Sequence, residues 1–278
     1  MLLGVHDAPL AGVRVERAPG ELLAGAILGY RGYHELASVP CDRWETPAAD
    51  VILVLGLGDP FLAQKHPGAG SLSGFTSFVV GLHERPLHTR YESLQSGVQV
   101  RLAPPAAALL LGVAMHELTN RVVDLADVAG GLVERWTEVL TSAKSWPERF
   151  ALLDLVFGEQ MRAGGGGSPI VRQAWRALRR VDGGVRIKDL VAEVGCSHRH
   201  LTALFRHEVG LTPKRAARIL RYEWAARRLR DSQSTPAAVA VECGFTDQPH
   251  LTREFRRFSG VTPAAVRRKN PGQFSTRR

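Results

Sequence analysis

Two sets of mostly polar side chains recur with matching spacing in the C-terminal part of the sequence. Helical spacing predicts that each set faces outward from a helix whose leucines and phenylalanines face inward. The first set is Arg199, Thr202, Ala203 and Arg206, and the second is Gln248, His250, Arg253, Arg256 and Arg257. Guanidinium, amide and imidazole groups on one surface are suited to binding a polyanion through charge-assisted hydrogen bonds.

An internal repeat supplies the elements that position these side chains. The segment Leu190–Gly195 recurs 49 residues later as Val239–Gly244, and His200–Arg206 recurs 50 residues later as His250–Arg256. Both copies keep the glycine at the turn and a closing Thr-Pro pair. Such a repeat indicates one supersecondary unit built twice. A short helix, a glycine turn and a second helix form the helix-turn-helix pattern, whose second helix enters the major groove of DNA.

Capping residues mark where these helices begin. Ser197 and Thr235 are predicted N-caps, because a hydroxyl at this position accepts a hydrogen bond from the first turn. Arg186 occupies the cap position of the first helix and cannot cap it. The stretch Pro213–Asp231 predicts a linking helix of roughly 27 Å, long enough to hold two recognition helices about one DNA turn apart.

Charge is distributed unevenly along the 278 residues, although the net charge is only +9. Residues 169–278 carry 23 Lys and Arg against 9 Asp and Glu, whereas residues 1–168 are net acidic. A basic C-terminal third favours polyanion binding. The 45% apolar and 23% charged content is that of an ordinary soluble protein. The sequence does not begin with the basic-then-apolar pattern of a signal peptide, and no apolar run is long enough to span a membrane. A cytoplasmic protein with no membrane association is expected.

Other chemistry finds little support in the sequence. Cys41, Cys196 and Cys243 form no CxxC pair, so neither a disulfide framework nor a zinc site is expected. The segment His83–His88 resembles HExxH superficially, but its second histidine is one place late and Pro86 breaks the required helix. Pro60 interrupts the glycine pattern that begins at Gly56, which argues against a dinucleotide site. We expect no catalytic residue, metal or cofactor.

The domain organisation follows from a change of pattern along the chain. Short apolar runs separated by Gly, Pro and Asp predict a β-rich region, and helical spacing begins at Pro104. The two adjacent amphipathic helices after Leu132 either cover the core or form a dimer surface. Four consecutive glycines predict a flexible linker. The expected units are a β-rich domain with a helical tail over 1–162, a linker over 163–169, a DNA-binding domain over 170–269 and a basic tail over 270–278.

The segment Gly244–Pro263, with Phe245, Asp247, Phe255 and Gly260 at fixed spacing, resembles the signature of the AraC/XylS family of bacterial transcription regulators. The doubled motif resembles that family's whole DNA-binding domain. This resemblance implies an α+β protein with an N-terminal cupin-like barrel and trailing helices, followed by an all-α double helix-turn-helix domain. The looser N-terminal likeness rests on the stretches around Arg101–Gly112 and Glu117–Asn120.

By position, the resemblance also assigns roles to the outward residues. The implied base-reading residues are Arg199, Thr202 and Ala203 in the first unit and Gln248, His250 and Arg253 in the second. The implied phosphate contacts are Arg206, Arg256 and Arg257. Pro249 departs from the family pattern and is tolerated because it falls in the first helical turn.

The resemblance implies a non-enzymatic regulator with several partners. Double-stranded promoter DNA is expected, together with RNA polymerase, an unidentified small-molecule effector and a second copy of the chain. Two alternatives stay open. One is a DNA-repair methyltransferase fusion, which a single N-terminal cysteine disfavours, and the other is a sequence-independent nucleoid or RNA binder. Aromatic residues such as Tyr30, Tyr33, Trp44 and Phe75 either line an effector pocket or pack in the core.

Overall fold

The computed structural model describes residues 10–37, 39–230 and 234–268, and within them it is an α+β protein. The described N-terminal strands form two sheets, with the orders β1-β2-β9-β4-β7-β10 and β3-β8-β5-β6. Every pairing between neighbouring strands is antiparallel. The strands are β1 (Leu10–Arg17), β2 (Ile27–Ala37), β3 (Cys41–Glu45), β4 (Val51–Gly56), β5 (Phe61–Ala63), β6 (Ser73–Phe75), β7 (Phe78–Val80), β8 (Leu87–Tyr91), β9 (Leu94–Leu102) and β10 (Val122–Asp124).

Strand β4 shows how the two sheets share the core. Its residues alternate between two apolar clusters because side chains on a strand point to opposite faces. Val51, Leu53 and Leu55 face the cluster formed with the helices. Ile52 and Val54 face the smaller cluster between the sheets. The six-stranded sheet is therefore covered on both faces, which explains why β4 is almost continuously apolar.

Four helices cover the outer face of the six-stranded sheet. They are α1 (Pro104–Leu111), α2 (Leu125–Ala129), α3 (Leu132–Ser142) and α4 (Trp146–Ala163). Trp136 of α3 packs edge-on against Phe157 of α4 at 5.1 Å, and Phe150 stacks on Tyr30 of β2 at 5.5 Å. Both helices after Leu132 thus cover the core, as one of the two interpretations expected.

The glycine-rich segment between α4 and the C-terminal region is a turn with defined contacts. Gly165, Gly166 and Gly167 have φ values of 77°, 83° and 59°, the left-handed region that glycine adopts at least cost. The backbone N–H of Ser168 donates to both carboxylate oxygens of Glu208, at 3.0 and 3.1 Å. The turn therefore connects the two regions and is also anchored to the C-terminal one.

The C-terminal region is helical, which confirms the predicted fold class. Its helices are α5 (Pro169–Arg180), α6 (Ile187–Val194), α7 (His198–Glu208), α8 (Pro213–Arg230), α9 (Pro236–Glu242), α10 (Gln248–Ser259) and α11 (Pro263–Arg268). One apolar cluster runs from the N-terminal helices into this region. Asp231, predicted to end α8, lies outside the described residues, as do Lys269 and the predicted tail at 270–278. Across the described ranges, no helix has both the length and the apolar character needed to cross a membrane.

Candidate nucleic-acid interface

Two helix-turn-helix units are formed by α6 with α7 and by α9 with α10. The turns contain Gly195 and Gly244, with φ values of 66° and 70° in the left-handed region. The second helix of each unit is anchored by a fully buried leucine and phenylalanine, Leu201 with Phe205 in α7 and Leu251 with Phe255 in α10. Burial of these side chains fixes which face of each helix points outward.

The predicted caps are confirmed, and the structure adds one that the sequence analysis missed. The Ser197 hydroxyl accepts a hydrogen bond from the N–H of His200 at 3.1 Å, and the Thr235 hydroxyl accepts one from Ala238 at 3.2 Å. Arg186 makes no capping hydrogen bond with its side chain, as expected. Asp247 caps α10, since its Oδ1 accepts from the N–H of His250 at 2.6 Å. An Asp immediately before a helix with Pro in its first turn was the signal that could have revealed this cap.

The first recognition helix presents most of its predicted contact residues to solvent. Arg199, Ala203 and Arg206 are exposed, and Thr202 is half-buried. Thr202 and Ala203 each lie three or four residues from both Arg199 and Arg206, so the four residues share one side of α7. Ala203 and Arg206 also border an open cleft whose opposite wall includes His116 of the N-terminal region.

The predicted contact residues of the second recognition helix differ in their exposure. Gln248, Arg253 and Arg256 are exposed. His250 is half-buried, with Nδ1 3.3 Å from the Thr246 hydroxyl, so its imidazole is held against the turn. The ring also lies edge-on to Phe245 at 5.4 Å. Nδ1 of His250 is therefore engaged within the protein, and Nε2 is the atom left for an outside partner.

Arg257 lies on α10 but forms an ion pair with Glu84 of the N-terminal region, with an N–O distance of 3.5 Å. Arg215, at the start of α8, also pairs with Glu84 and donates from Nε to Oε1 at 3.1 Å. The Glu84 side chain is only 5% exposed. One buried carboxylate thus holds an arginine from the linking helix and an arginine from the second recognition helix.

Two other polar contacts join the same regions. The Thr119 hydroxyl donates to the carbonyl of Gly210, immediately after α7, at 2.8 Å. Arg179 of α5 pairs with Asp50 at 3.3 Å, and Asp50 also pairs with Arg101 at 2.5 Å. Both recognition helices are therefore connected to the β-rich region, one through Gly210 and the other through Arg257.

The arginines of the linking helix α8 are mostly engaged with the protein itself. Arg218 forms a bidentate pair with Glu254, with distances of 2.9 and 2.7 Å, and this hydrogen bonding raises its pKa. Arg227 pairs with Asp182 at 2.6 Å, and Arg228 pairs with Glu242 at 2.7 Å. These arginines hold the helices together, so the large basic charge of the region is only partly available to an outside partner.

Four arginines of the recognition helices differ from those of α8. Among the residues that the structure describes, no ion pair or side-chain hydrogen bond engages Arg199, Arg206, Arg253 or Arg256, and all four are exposed. Arginine donates in a planar fork that fits both a phosphate and the O6 and N7 atoms of guanine. The two recognition helices therefore present four available guanidinium groups.

In the part of the chain that the structure describes, no group of three or more His, Cys, Asp or Glu side chains is placed to hold a metal ion. His83 and His88, the two histidines of the HExxH-like segment, have separate roles. The Nδ1 of His83 is 2.8 Å from the Arg85 carbonyl, and burial lowers the pKa of this imidazole. His88 binds Asp42 at 2.8 Å and stacks on Trp44.

The paired units and their linking helix are the structure of a double helix-turn-helix DNA-binding domain. Residues 190–269 match the family described as a helix-turn-helix domain, and this region is an AraC-type helix-turn-helix domain. The resemblance noted in the sequence is thereby confirmed for this part of the chain.

Two curated relatives are similar to part of the chain. The HTH-type transcriptional regulator Rv1931c of Mycobacterium tuberculosis (strain ATCC 25618 / H37Rv) is 36% identical over 89 residues, which cover 32% of this chain and 34% of the relative. The HTH-type transcriptional activator RhaS of Escherichia coli (strain SE11) is 35% identical over 85 residues, covering 30% and 31%. The chain thus matches about a third of the length of these relatives.

Solved structures give a broader but weaker likeness. Wild-type ToxT from Vibrio cholerae strain SCE256, crystallised with a bound unsaturated fatty acid, aligns over 90% of this chain and 96% of its own. Its sequence is 9% identical, and the TM-score is 0.49. A probable AraC family transcriptional regulator from Rhodopseudomonas palustris CGA009 is 28% identical over 36% of this chain and 95% of its own, with a TM-score of 0.34.

Proposed function

We propose that the chain is a cytoplasmic, sequence-specific DNA-binding transcription regulator whose β-rich region responds to a small-molecule effector. The observation that carries this proposal is the placement of the available arginines. Those of α8 are mostly engaged in contacts within the protein, whereas Arg199, Arg206, Arg253 and Arg256 project from two recognition helices without a protein partner among the described residues. A protein that used its basic charge only for solubility would not need this separation.

The proposed site residues fall into two groups, those that contact bases and those that contact phosphates. We assign base reading to Arg199, Thr202 and Ala203 on α7 and to Gln248, His250 and Arg253 on α10, early positions that approach base edges in a helix-turn-helix complex. Glutamine pairs with adenine, arginine pairs with guanine, and the Ala203 methyl group packs against the thymine methyl.

Phosphate binding is assigned to Arg206, Arg256 and Arg257, which lie later on the same helices. Contacts of this kind position the protein and make its affinity depend on salt. Arg257 can bind a phosphate only after it leaves Glu84, so its role in DNA binding depends on the arrangement of the two regions.

The linking helix determines the spacing of the two readers. Helix α8 has 18 residues, which corresponds to about 27 Å at 1.5 Å per residue. Its buried face includes Ala217, Leu220 and Leu229, so both units pack on it. We propose that α7 and α10 enter successive major grooves on one face of a duplex, about 34 Å apart.

Regulation is proposed to pass through the contacts between the regions. His83 lines a cavity between the two sheets, and the adjacent residue, Glu84, holds Arg215 and Arg257. A ligand in the cavity that displaces His83 also shifts Glu84, because they are consecutive residues of one short connection. The equilibrium moves only as far as the ligand's affinity for the two arrangements differs. The predicted boundary at residues 163–169 is retained as part of this proposal.

A second copy of the chain and RNA polymerase are the remaining proposed partners. Leu22 and Leu155 are fully exposed and 62% exposed, respectively. They lie on adjacent elements, since the N–H of Gly20 donates to Asp154 at 2.9 Å. We propose this surface for dimerisation. Sedimentation of the wild type and of Leu155→Glu tests it: the variant is expected to sediment as a smaller species.

Transcription in vitro from a bound promoter tests the polymerase contact and distinguishes activation from repression.

The experiment that tests the main proposal is selection of bound duplexes from random DNA by the full chain. The expected result is an enriched motif with two half-sites about 10 base pairs apart. The motif should bind at least about a thousandfold more tightly than unrelated duplexes at ~150 mM salt. Nearly equal affinity for unrelated duplexes would instead support a sequence-independent nucleoid or RNA binder.

A further inference from the structure

The cavity between the two sheets has a volume of about 170 Å³. An engineered protein cavity of about 150 Å³ holds a single benzene molecule. The space is therefore suited to a molecule with one ring and a few additional atoms, and it is too small for a long-chain compound that remains fully enclosed.

Part of the cavity lining is apolar and partly aromatic. Ile52 and Val54 of β4 face Leu87 of β8 across it. Phe61 and Phe78 stack on each other with ring centroids 5.2 Å apart at its edge. Flat aromatic rings pack favourably against such side chains. These apolar side chains would therefore accommodate the ring of a ligand between them.

Another part of the lining is polar, because the alternation of side chains on β3 and β8 points three polar residues into the cavity beside Leu87. Arg43 is paired across the two strands with Thr89, and Glu45 lies two residues after Arg43, so all three face the cavity. Trp44 and His88 lie between them and stack on the other face of the sheet at 4.9 Å. The register therefore places a hydroxyl and a carboxyl on the same face of the sheet, as diagonal neighbours across the two strands.

These two groups lack the hydrogen bonds that buried polar atoms normally form. Thr89 is 4% exposed, and its Oγ1 has no hydrogen-bond partner in the described part of the chain. The Oε2 of Glu45 is likewise buried there without a partner. Leaving buried donors and acceptors unsatisfied is costly, and such atoms inside a cavity indicate a ligand that completes them.

The charges around the cavity are largely balanced by neighbours. Arg14 pairs with Glu35 at 2.5 Å, and Arg31 pairs with Glu16 at 2.8 Å. Burial raises the pKa of the Glu45 carboxyl, and nearby arginines oppose this only in part. The Oε2 of this carboxyl can accept a hydrogen bond from a ligand hydroxyl. An organic anion or cation would add a charge to an environment in which these side chains already have counter-ions.

We propose that the cavity binds a small uncharged molecule with one ring and a hydroxyl group, such as an aromatic alcohol or a phenol. Its ring lies against Ile52, Val54 and Leu87, and its hydroxyl bonds to Thr89 and Glu45. The inference rests on the proposed function, because this molecule is then the effector that the regulator senses.

Calorimetric titration of the full chain at pH 7 with three probes of similar size tests the assignment. The probes are benzyl alcohol, benzoate and benzylamine, which differ in charge. Benzyl alcohol is expected to bind at least about tenfold more tightly than either ion. The substitution Thr89→Val keeps the shape of the side chain but removes its hydroxyl. It should raise the Kd for benzyl alcohol by about tenfold, the effect of losing one well-formed hydrogen bond.

Two changes at Glu45 separate neutral hydrogen bonding from charge recognition. Glu45→Gln keeps a side-chain oxygen that accepts a hydrogen bond but carries no charge, and it should bind benzyl alcohol within about threefold of the wild type, whereas Glu45→Leu should bind about tenfold more weakly. Thermal unfolding of each variant without a probe shows whether it is folded. Tighter binding of benzoate or benzylamine, no binding of any probe, or an unchanged Kd in folded Thr89→Val would overturn the assignment.

DNA binding without a probe keeps this inference separate from the proposed function. If the chain selects a DNA motif but binds none of the probes, only the ligand assignment fails. If benzyl alcohol binds as expected and no DNA motif is selected, the ligand assignment stands and the regulator function fails.

Discussion

Arg257 of the second recognition helix and Glu84 of the β-rich region form an ion pair with an N–O distance of 3.5 Å. The Arg257 side chain is 44% exposed, whereas the Glu84 side chain is 5% exposed. The carboxylate also binds Arg215, so it lies where the linking helix and the second reader meet. An arginine proposed to bind DNA phosphate is thus held by an internal anion, and the two anions compete for it.

Removing the internal anion should strengthen DNA binding. Glu84→Gln releases Arg257 for a phosphate, and we expect the Kd for DNA to fall by about three- to tenfold at low salt. The slope of log K against log salt should steepen by about one unit, because one more phosphate is neutralised. Fluorescence anisotropy between about 50 and 200 mM salt measures both quantities.

The control for this experiment is Glu92→Gln. Glu92 pairs with Arg90 in the four-stranded sheet, and its side chain is 48% exposed. The substitution removes the same charge from the N-terminal region without touching α10, so the affinity and salt slope should match those of the wild type. Equal behaviour of Glu84→Gln and Glu92→Gln would show that Glu84 does not restrain DNA binding.

Base reading and phosphate binding should separate on α10. Arg253→Ala is expected to relax preference at one position of the downstream half-site, which corresponds to a loss of about 1–3 kcal/mol of discrimination. Arg256→Ala should weaken binding to all sequences about equally and reduce the salt slope by about one. Selection from random DNA measures preference, and anisotropy measures affinity.

Arg135→Ala is a suitable reference for the two arginine variants, since Arg135 is an exposed arginine of α3 that pairs with Glu159. It should leave both the selected motif and the salt slope unchanged. An identical motif for the wild type and Arg253→Ala would remove Arg253 from the base-reading set.

The sequence was sufficient to predict the C-terminal fold because the information there is local. The repeated glycines fix the turns, and Ser197 and Thr235 fix the helix starts within three residues of the atoms that they bind. The apolar spacing that buries Leu201 and Leu251 also determines which face of each helix is outward. All of these contacts lie within a turn or two of helix.

The contacts between the regions could not be found in this way. Glu84 and Arg257 are 173 positions apart, and neither has a neighbour in sequence that identifies its partner. The cavity could not be predicted from local sequence either, because Thr89 and Glu45 come to one face of the sheet only through the register of β3 and β8. The glycine segment was predicted to be a flexible linker from its composition. The hydrogen bond from the Ser168 N–H to Glu208 could not be predicted, because it depends on tertiary packing.

Supplying the missing cap of the first unit should stabilise the protein. Arg186 already has the extended backbone of an N-cap, with φ −74° and ψ 136°, but its side chain makes no capping bond. Arg186→Ser provides a hydroxyl for the first turn of α6, and we expect about 1 kcal/mol of additional stability. Urea unfolding measures this gain, with Arg186→Ala as the control that removes the arginine without adding a cap. Equal midpoints for the Ser and Ala variants would refute the capping argument.

The buried imidazole of His83 should make stability depend on pH. Burial lowers its pKa, and the hydrogen bond to the Arg85 carbonyl opposes this shift only in part. An unfolded chain binds a proton at this position near pH 6.5, whereas the native chain resists it to a lower pH. The free energy of unfolding therefore falls as the pH drops through about 6.5, by up to about 1.4 kcal/mol for each unit by which the native pKa is lowered.

The His83→Gln variant should lose this pH dependence because glutamine does not titrate, while its amide can still bond to the Arg85 carbonyl. Urea unfolding at pH 7.5 and 5.5 gives the change in the free energy of unfolding for the wild type and for the variant. The difference between these two changes is the contribution of His83. His66→Gln, a substitution at an exposed histidine, should retain the wild-type change. If His83→Gln loses as much stability as the wild type over this range, the native imidazole titrates like an exposed one. Burial would then not keep a proton off His83, the residue that lines the cavity next to Glu84.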